Sequence, residues 1–343
     1  MLSELIQTAW RRENALYYLV LVPLSWLFSG VTALRRFAFK TGILKSYAMP
    51  VPVIVVGNIN IGGNGKTPVV MWLVQQLRVN GYQPAVISRG YGGSAKLPTA
   101  VNADSKPSDV GDEPVLIANK CACPVWVGAD KVHVATELLK AHPETSIIIS
   151  DDGLQHYALQ RDVEIAVTQP EQRSYKPRLL PAGPLREPLE RLNTVDAIVC
   201  NGEKTNMGAF EMQLVGEQFY NLLDPDIKAG AAYFKRKTIK ALAGIGKPAN
   251  FFGHLSQLGL AFASVSFDDH HAFTAQDLAN IDCDVLIMTE KDAVKCKAFA
   301  KPHHWVLPVE ASIDERLMPL ILEKLNSSRL NLARLEKAKS IVS

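Results

Sequence analysis

The chain has 343 residues, enough for roughly two domains. Hydrophobic residues make up 48% and charged residues 21%, which describes a folded, core-forming protein and excludes a disordered one. A net charge of +3 is too small to argue for a nucleic-acid partner, and five scattered cysteines fit a reducing compartment better than a disulfide framework.

From Ala15 to Leu34 the chain carries no charged side chain (ALYYLVLVPLSWLFSGVTAL). As a helix this stretch extends about 30 Å, the thickness of a hydrocarbon core. A cleaved signal peptide would have a shorter apolar region and a small-residue cleavage site. A buried core helix is a second reading. The favoured one is a membrane anchor, spanning the bilayer or lying along its interface. Pro23 would kink such a helix, as membrane helices tolerate. Arg11 and Arg12 precede the stretch, while Arg35, Arg36 and Lys40 follow it more densely. That bias places the body of the protein in the cytoplasm.

Val51 to Val56 reads as a buried parallel strand. A glycine-rich loop follows, then a helix from about Lys66 to Val79 with Val69, Leu73 and Leu77 on one face. Pro68 is acceptable in its first turn, and Asn80-Gly81 ends it. Pro84–Ser88 is the next strand, completing a right-handed crossover unit. Cys121-Ala122-Cys123 lacks the spacing and the paired partner of a zinc knuckle. Further strands fall near 125–127, 146–150, 163–168 and 197–200, with a helix over 131–140. This alternation predicts a doubly wound parallel α/β sheet of the P-loop type. Residues 170–192 are irregular and rich in Pro and Arg. A second, smaller α/β unit follows, with strands at 239–243, 263–267 and 285–289, helices at 248–259 and 274–280, and a closing helix near 314–326. The expected division is a membrane-associated region over 1–45, a kinase unit over 46–225, a second unit over 226–330 and a tail over 331–343.

The loop GNINIGGNGKTP carries the chemistry. A phosphate loop turns backbone N–H groups inward at a helix N-terminus, which is the expected task of Asn60, Ile61, Gly62, Gly63, Asn64 and Gly65. Lys66 can reach the β- and γ-phosphates, and the Thr67 hydroxyl can bind Mg²⁺. The usual pattern has glycine where Asn60 stands. Asn tolerates left-handed geometry better than most residues, which is the expected reason for the exchange. Such a loop needs a strand ending in an acid for the metal, and SIIISDDG supplies Asp151 and Asp152. Asn119-Lys120-Cys121-Ala122 lacks the acid of a guanine-reading motif, so ATP is the expected nucleotide and magnesium the expected ion.

Two segments offer acid–base groups for a hydroxyl acceptor: VGDEP with Asp112 and Glu113, and FDDHH with His270 and His271. An Asp held by a His could take the proton of the attacking hydroxyl. The first segment can equally be a helix start, and the second a polar turn. A membrane-bound regulatory NTPase and a non-catalytic nucleotide scaffold are rival readings; the former often has a second Lys where Ile61 stands.

GNINIGGNGKTP, SRGYGG, VGDEP, SDDGLQH, LLPAGPLREP, DDHHAFT and MTEKDAVK, in this order, resemble the tetraacyldisaccharide 4′-kinase family of lipid A biosynthesis in Gram-negative bacteria. The resemblance covers nearly the whole chain. It implies transfer of the γ-phosphate of ATP to the 4′-hydroxyl of a tetraacylated disaccharide 1-phosphate, giving lipid IVA. It also implies work at the cytoplasmic face of the inner membrane, on a membrane-embedded lipid, with no nucleic acid and no obligate protein partner. By the same resemblance, Asp112 is the general base and His270 its partner. Lys66 and Thr67 hold phosphates and Mg²⁺, and Glu113, Asp151 and Asp152 surround the metal. Arg89 and Arg186 are candidates for the 1-phosphate or sugar, with His156 and Lys131 beside them. His271 follows His270, and one of the two is expected only behind the other; Glu290, Lys291 and Asp292 are assigned to structure.

Overall fold

The computed structural model describes residues 10, 17–170, 178–202 and 208–327. The expectations placed on Arg11, Arg12, Ala15 and the 331–343 tail lie outside the described residues. In chain order the first part runs α1 (Val22–Lys40), β1 (Val53–Gly57), α2 (Lys66–Val79), β2 (Pro84–Ser88), β3 (Thr99–Val101), α3 (Asp112–Cys121), β4 (Val125–Val127), α4 (Lys131–Ala141), β5 (Ile147–Asp151), β6 (Val163–Thr168), β7 (Ala197–Asn201) and β8 (Phe210–Val215). The chain then passes through β9 (Gln218–Asn221), β10 (Lys228–Gly230), β11 (Ile239–Ala243), α5 (Pro248–Gln257), β12 (Ala263–Ser266), α6 (Ala275–Ala279), β13 (Val285–Thr289), α7 (Glu290–Cys296) and β14 (His304–Leu307). It returns through β15 (Glu310–Ile313) and a helix over 317–327.

The strands form two sheets, ordered β15-β8-β7-β6-β1-β5-β2-β4-β3 and β10-β9-β14-β13-β11-β12. In the first, only the edge strands β3 and β15 run antiparallel to their neighbours. β1 is buried along its length because both faces are covered. Ile54 and Val56 pack with Val69, Leu73 and Leu77 of α2, while Val53 and Val55 pack with Val134 and Leu138 of α4. This two-faced burial is why the strand reads as an unbroken apolar run. It begins at Val53, after Pro52, which has no N–H to give to a ladder. The second sheet repeats the scheme: Ala241, Ala243 and Ile287 meet Phe251 and Leu255 of α5, and Leu242 and Met288 meet Ala293 and Cys296 of α7.

α1 follows a π-helical turn, Tyr17–Leu21, and Pro23 sits in the first turn of the α-helical stretch. The two run on as one helix over 17–40, so the missing N–H of Pro23 leaves a carbonyl of the preceding turn without its donor, and the wider turn is where the helix makes room for the ring. The inner face is specific. Tyr17, Leu21 and Val22 pack on Ala182, Ser25 Oγ donates to the Leu179 carbonyl at 2.8 Å, and Trp10 Nε1 donates to the Pro181 carbonyl at 2.7 Å. The outer face is apolar and exposed, with Trp26 at 70%, Leu27 at 66% and Leu34 at 68%. Residues 17–40 are long and apolar enough to cross a membrane by length and composition. A core helix would have covered that face, so the buried-core reading is excluded.

Candidate active site

The order of the first sheet sets β5 and β6 on either side of β1, so the loop after β1 opens between them at the sheet's C-terminal edge, where open α/β sheets bind ligands. Gly65 closes the loop with φ +86°, and a Cβ there would stand 2.7 Å from Asn201 Nδ2, so glycine is required to turn into α2. Asn60 behaves otherwise than expected. Among the described residues the only non-glycines with positive φ are Ala122, Asp152 and His270. Asn60 therefore does not replace glycine for its backbone. It is buried, its Oδ1 accepts from Asn64 Nδ2 at 2.6 Å, and its backbone bridges Leu185. Position 60 uses a side chain, which braces the far end of the loop.

At the end of β5, Asp151 lies in register with Val56, the residue before the loop's first glycine. Ser88 Oγ donates to its Oδ2 at 3.1 Å, and its buried Oδ1 has no partner. Burial, then the charge of Glu113, pushes its pKa up to about 6 against the pull of Lys66 and Lys131. An unpartnered carboxylate oxygen next to a phosphate loop suits a hard cation. Asp152, in left-handed backbone, faces two cations: Lys66 Nζ at 3.4 Å and Arg186 Nη1 at 3.1 Å. Burial alone would raise its pKa, but Lys66, Arg186 and Lys131 bring it to about 2. Lys131 is enclosed at 1% exposure, with Nζ 3.0 Å from Ser150 Oγ and donating to the Asp151 carbonyl. Burial lowers its pKa to about 8. His156 is half-buried, and burial followed by Lys131 and Arg89 lowers it to about 4, so its ring is neutral at pH 7. Arg89 is exposed just beyond β2. Among the described residues no three His, Cys, Asp or Glu side chains converge as a ready metal cage.

Asp112 opens α3 and is 4% exposed. His270, from the loop after β12, places Nδ1 3.1 and 3.2 Å from its two carboxylate oxygens. The pairing joins the two sheets. Burial would raise the Asp112 pKa, but the His270 bond and the Lys291 charge hold it below the usual carboxylate range. The same bond raises His270, against burial and Lys291. The imidazole is held in left-handed backbone, φ +61°, with the Tyr91 ring edge-on at 5.0 Å. The strand-to-loop segments around Tyr91 and Asp109 touch backbone to backbone: a Cβ on Gly93 would lie 2.6 Å from the Asp109 carbonyl. His271 turns away, to Asp277 Oδ2 at 3.3 Å, with its ring tilted against Phe267 and edge-to-face with Phe273.

Couple and cradle share one crevice. Glu113 follows Asp112 and acts on Asp151. A Cβ on Gly246 would lie 3.1 Å from Asp269 Oδ2 and 3.5 Å from the Gly63 nitrogen of the phosphate loop. Lys247 donates to Gln169, whose amide donates to the Gly63 carbonyl at 3.4 Å. Two residues enter that sequence reading set aside. Asp269 lines the crevice, and Lys291 Nζ stands 3.0 Å from Glu113 Oε1, 3.4 Å from Asp269 Oδ1 and 3.9 Å from Asp112 Oδ2. Glu290 and Asp292 on either side are structural: one pairs with Lys120 at 2.7 Å, the other accepts from the Gly244 N–H at 3.0 Å.

A sequence profile described as tetraacyldisaccharide-1-P 4′-kinase matches residues 17–326. The tetraacyldisaccharide 4′-kinase of Methylobacillus flagellatus is 48% identical over 323 residues, 94% of this chain and 96% of its own. That of Dechloromonas aromatica is 45% identical over 340 residues, 96% of this chain and 100% of its own. The crystal structure of "apo" form LpxK from Aquifex aeolicus in complex with ATP matches with a TM-score of 0.74 at 27% identity, over 89% of this chain and 98% of that one. With matches of this extent and identity, carried on a phosphate loop faced by an Asp–His couple, the chain belongs to the tetraacyldisaccharide 4′-kinase family.

Proposed function

We propose that this protein transfers the γ-phosphate of ATP to the 4′-hydroxyl of tetraacyldisaccharide 1-phosphate, giving lipid IVA. Family membership and a relative solved with ATP support the reaction. The observation in this chain that carries it is the Asp112–His270 contact, made between two sheets beside the phosphate loop.

Residues 60–65 cradle the phosphates with backbone N–H groups, and Lys66 leaves Asp152 for the β- and γ-phosphates as they arrive. Magnesium fits the residues present, because it takes one or two carboxylates and completes its shell with phosphate oxygens and water. Thr67 and Asp151 would hold it, with Glu113 and Asp152 as the further acids. When bound it neutralises charge on the transferring phosphoryl group. Asp112, deprotonated at neutral pH, takes the proton of the 4′-hydroxyl, and His270 fixes the orientation of the carboxylate. Arg186, already aimed at Asp152, and the exposed Arg89 are suited to the 1-phosphate or sugar. His156 is a neutral hydrogen-bonding partner for a sugar hydroxyl, and Lys131 steadies the acids from behind.

The outer face of α1 meets the bilayer, spanning it or lying along it, and the catalytic units face the cytoplasm at the inner membrane. The inner face of the helix grips residues 179–182, and the same segment reaches the cradle: the Ile61 N–H donates to the Pro184 carbonyl at 2.9 Å and the Arg186 N–H to the Ile59 carbonyl at 2.7 Å. An anchor tied to the phosphate loop lets the acyl chains stay in hydrocarbon, at roughly 0.8 kcal/mol per CH₂. A kinase unit and a smaller α/β unit meet at the crevice, and the chain crosses between their sheets twice, at 216–217 and 308–309. Incubation with labelled ATP and the disaccharide lipid in mixed micelles should yield a new phosphate monoester at the 4′ position. ATP-competent protein that produces none overturns the assignment.

A further inference from the structure

We propose that Lys291 is a positioning residue for this reaction: its ammonium, reaching from the second sheet, holds Glu113 and Asp269 around the Asp112–His270 couple. The inference rests on the reading of Asp112 as the base.

Four polar partners surround one ammonium. Glu113 Oε1 lies at 3.0 Å, Asp269 Oδ1 at 3.4 Å, His270 Nε2 at 3.4 Å and Asp112 Oδ2 at 3.9 Å. Two of these belong to the start of α3 and two to the loop after β12, so the ammonium ties together elements of both sheets. The side chain is only 17% exposed. An ammonium so enclosed is retained only where carboxylates compensate it. Its position also argues against a helix-stabilising task. The first turn of a helix favours acids, and Glu290 and Asp292 supply them. A lysine between them is out of place for α7 and in place for the crevice.

The arrangement solves a charge problem. Asp112 and Asp269 flank one imidazole, Glu113 meets the same ammonium, and Asp112 is nearly enclosed. Without a cation, the three carboxylates would repel and Asp112 would lose part of what offsets its burial. His270 also needs its far nitrogen fixed if Nδ1 is to stay on Asp112. Lys291 faces that nitrogen. An ammonium donates and does not accept, so it favours the tautomer in which Nε2 carries the lone pair and Nδ1 donates to Asp112. That tautomer leaves the Asp112 oxygens as acceptors for the incoming hydroxyl.

The test is a double-mutant cycle on the full chain, with Lys291→Met, Asp112→Asn and the pair. Turnover on micellar lipid, ATP binding by calorimetry and thermal melting are read for each. Lys291→Met should lower kcat at least about 30-fold, with ATP affinity within about threefold of the parent. Lys291→Arg, which keeps the charge but not the point geometry, should recover part of that loss. The pair should be no worse than Asp112→Asn alone, within about threefold, because the lysine acts through the aspartate. Losses that multiply would overturn the inference, as would Lys291→Met turning over within about threefold of the parent. If Lys291→Met melts far below the parent, Lys291→Gln is read against the same limits. Full turnover by Asp112→Asn sinks the base reading and this inference together. An active Lys291→Met beside a dead Asp112→Asn sinks this inference alone.

Discussion

Replacing Asp112 by Asn tests the reaction at its centre with little disturbance of shape. The Asp112 Oδ1 accepts from the Glu113 N–H at 2.9 Å, and an amide oxygen can keep that bond. The same oxygen lies 3.2 Å from His270 Nδ1 and can go on accepting from it, so the couple remains in contact, but the amide cannot take a proton. General-base catalysis contributes about 10²–10⁴ in rate. At about 1.36 kcal/mol per decade, the barrier should rise by about 3–5 kcal/mol. The cradle is untouched: Lys66 and Thr67 stand on α2, and Asp152, the partner of Lys66, lies beyond β5. The ATP KM should therefore stay within about threefold while kcat collapses, which is how a transition-state interaction shows itself. Initial rates on mixed micelles with labelled ATP, at saturating and limiting nucleotide, separate the two constants. A variant retaining more than about a fifth of parent kcat would refute the reasoning. So would a loss confined to the ATP KM, since Asp112 would then be part of the nucleotide site.

Asn60→Gly restores the common phosphate-loop pattern, yet it should cost about 1 kcal/mol of stability, because Asn64 Nδ2 loses its 2.6 Å partner in a buried place; urea unfolding that finds no loss would return position 60 to a backbone role. Leu27→Glu with Leu34→Glu places charge on the exposed face of α1. Vesicle co-sedimentation should drop while ATP affinity is unchanged, and undiminished binding to vesicles would remove that face from the bilayer. His304 is fully buried in β14, and burial lowers its pKa from 6.5 to about 4. The unfolded chain takes the proton first, so stability falls as pH drops from about 6.5 toward 4, by up to ~1.4 kcal/mol per pH step. His304→Gln should flatten that part of the profile in urea melts at pH 6.5 and 4.5, and parallel slopes would show that other groups carry it.

Much of this molecule was legible because one physical signal dominated locally. β1, β2 and β13 are apolar runs covered on both faces, β6 and β11 are interrupted only by Glu164 and Lys240, and α2 shows Val69, Leu73 and Leu77 at helical spacing between Gly65 and Asn80-Gly81. β3 and β15 escaped, being short, partly polar edge strands that exist only because β4 and β8 offer them a ladder. β14, HWVL, is a short buried strand whose three apolar residues are too few to show a period that would mark it. At the site, Asp151 and Lys66 follow from motif chemistry, but the task of Asn60 does not. A residue type compatible with two explanations, backbone or amide, is settled only by its neighbour Asn64. Lys291 shows the same limit from the other side. TEKD looks like an ordinary helix start, and Glu290 and Asp292 are that. The lysine between them belongs to a crevice whose other wall is contributed 178 residues away.

That separation in sequence has a chemical consequence. Asp112 alone, beside a bound triphosphate, is a carboxylate that any water could use. On the proposed mechanism it is an oriented base only with His270 on Nδ1 and the neighbouring acids compensated, and both contacts come from the second sheet. Splitting the base across two units makes proton abstraction depend on their being together, in the way that closure assembles a catalytic site only around its correct acceptor. Helix α1 enters the same connection. The segment that α1 grips at 179–182 continues into the phosphate loop through Pro184 and into Arg186 on Asp152, so the exposed apolar face of α1 and that loop are joined by one continuous segment. A kinase whose acceptor sits in a bilayer gains from that connection, because positioning the phosphate loop and positioning the enzyme on the membrane become the same act.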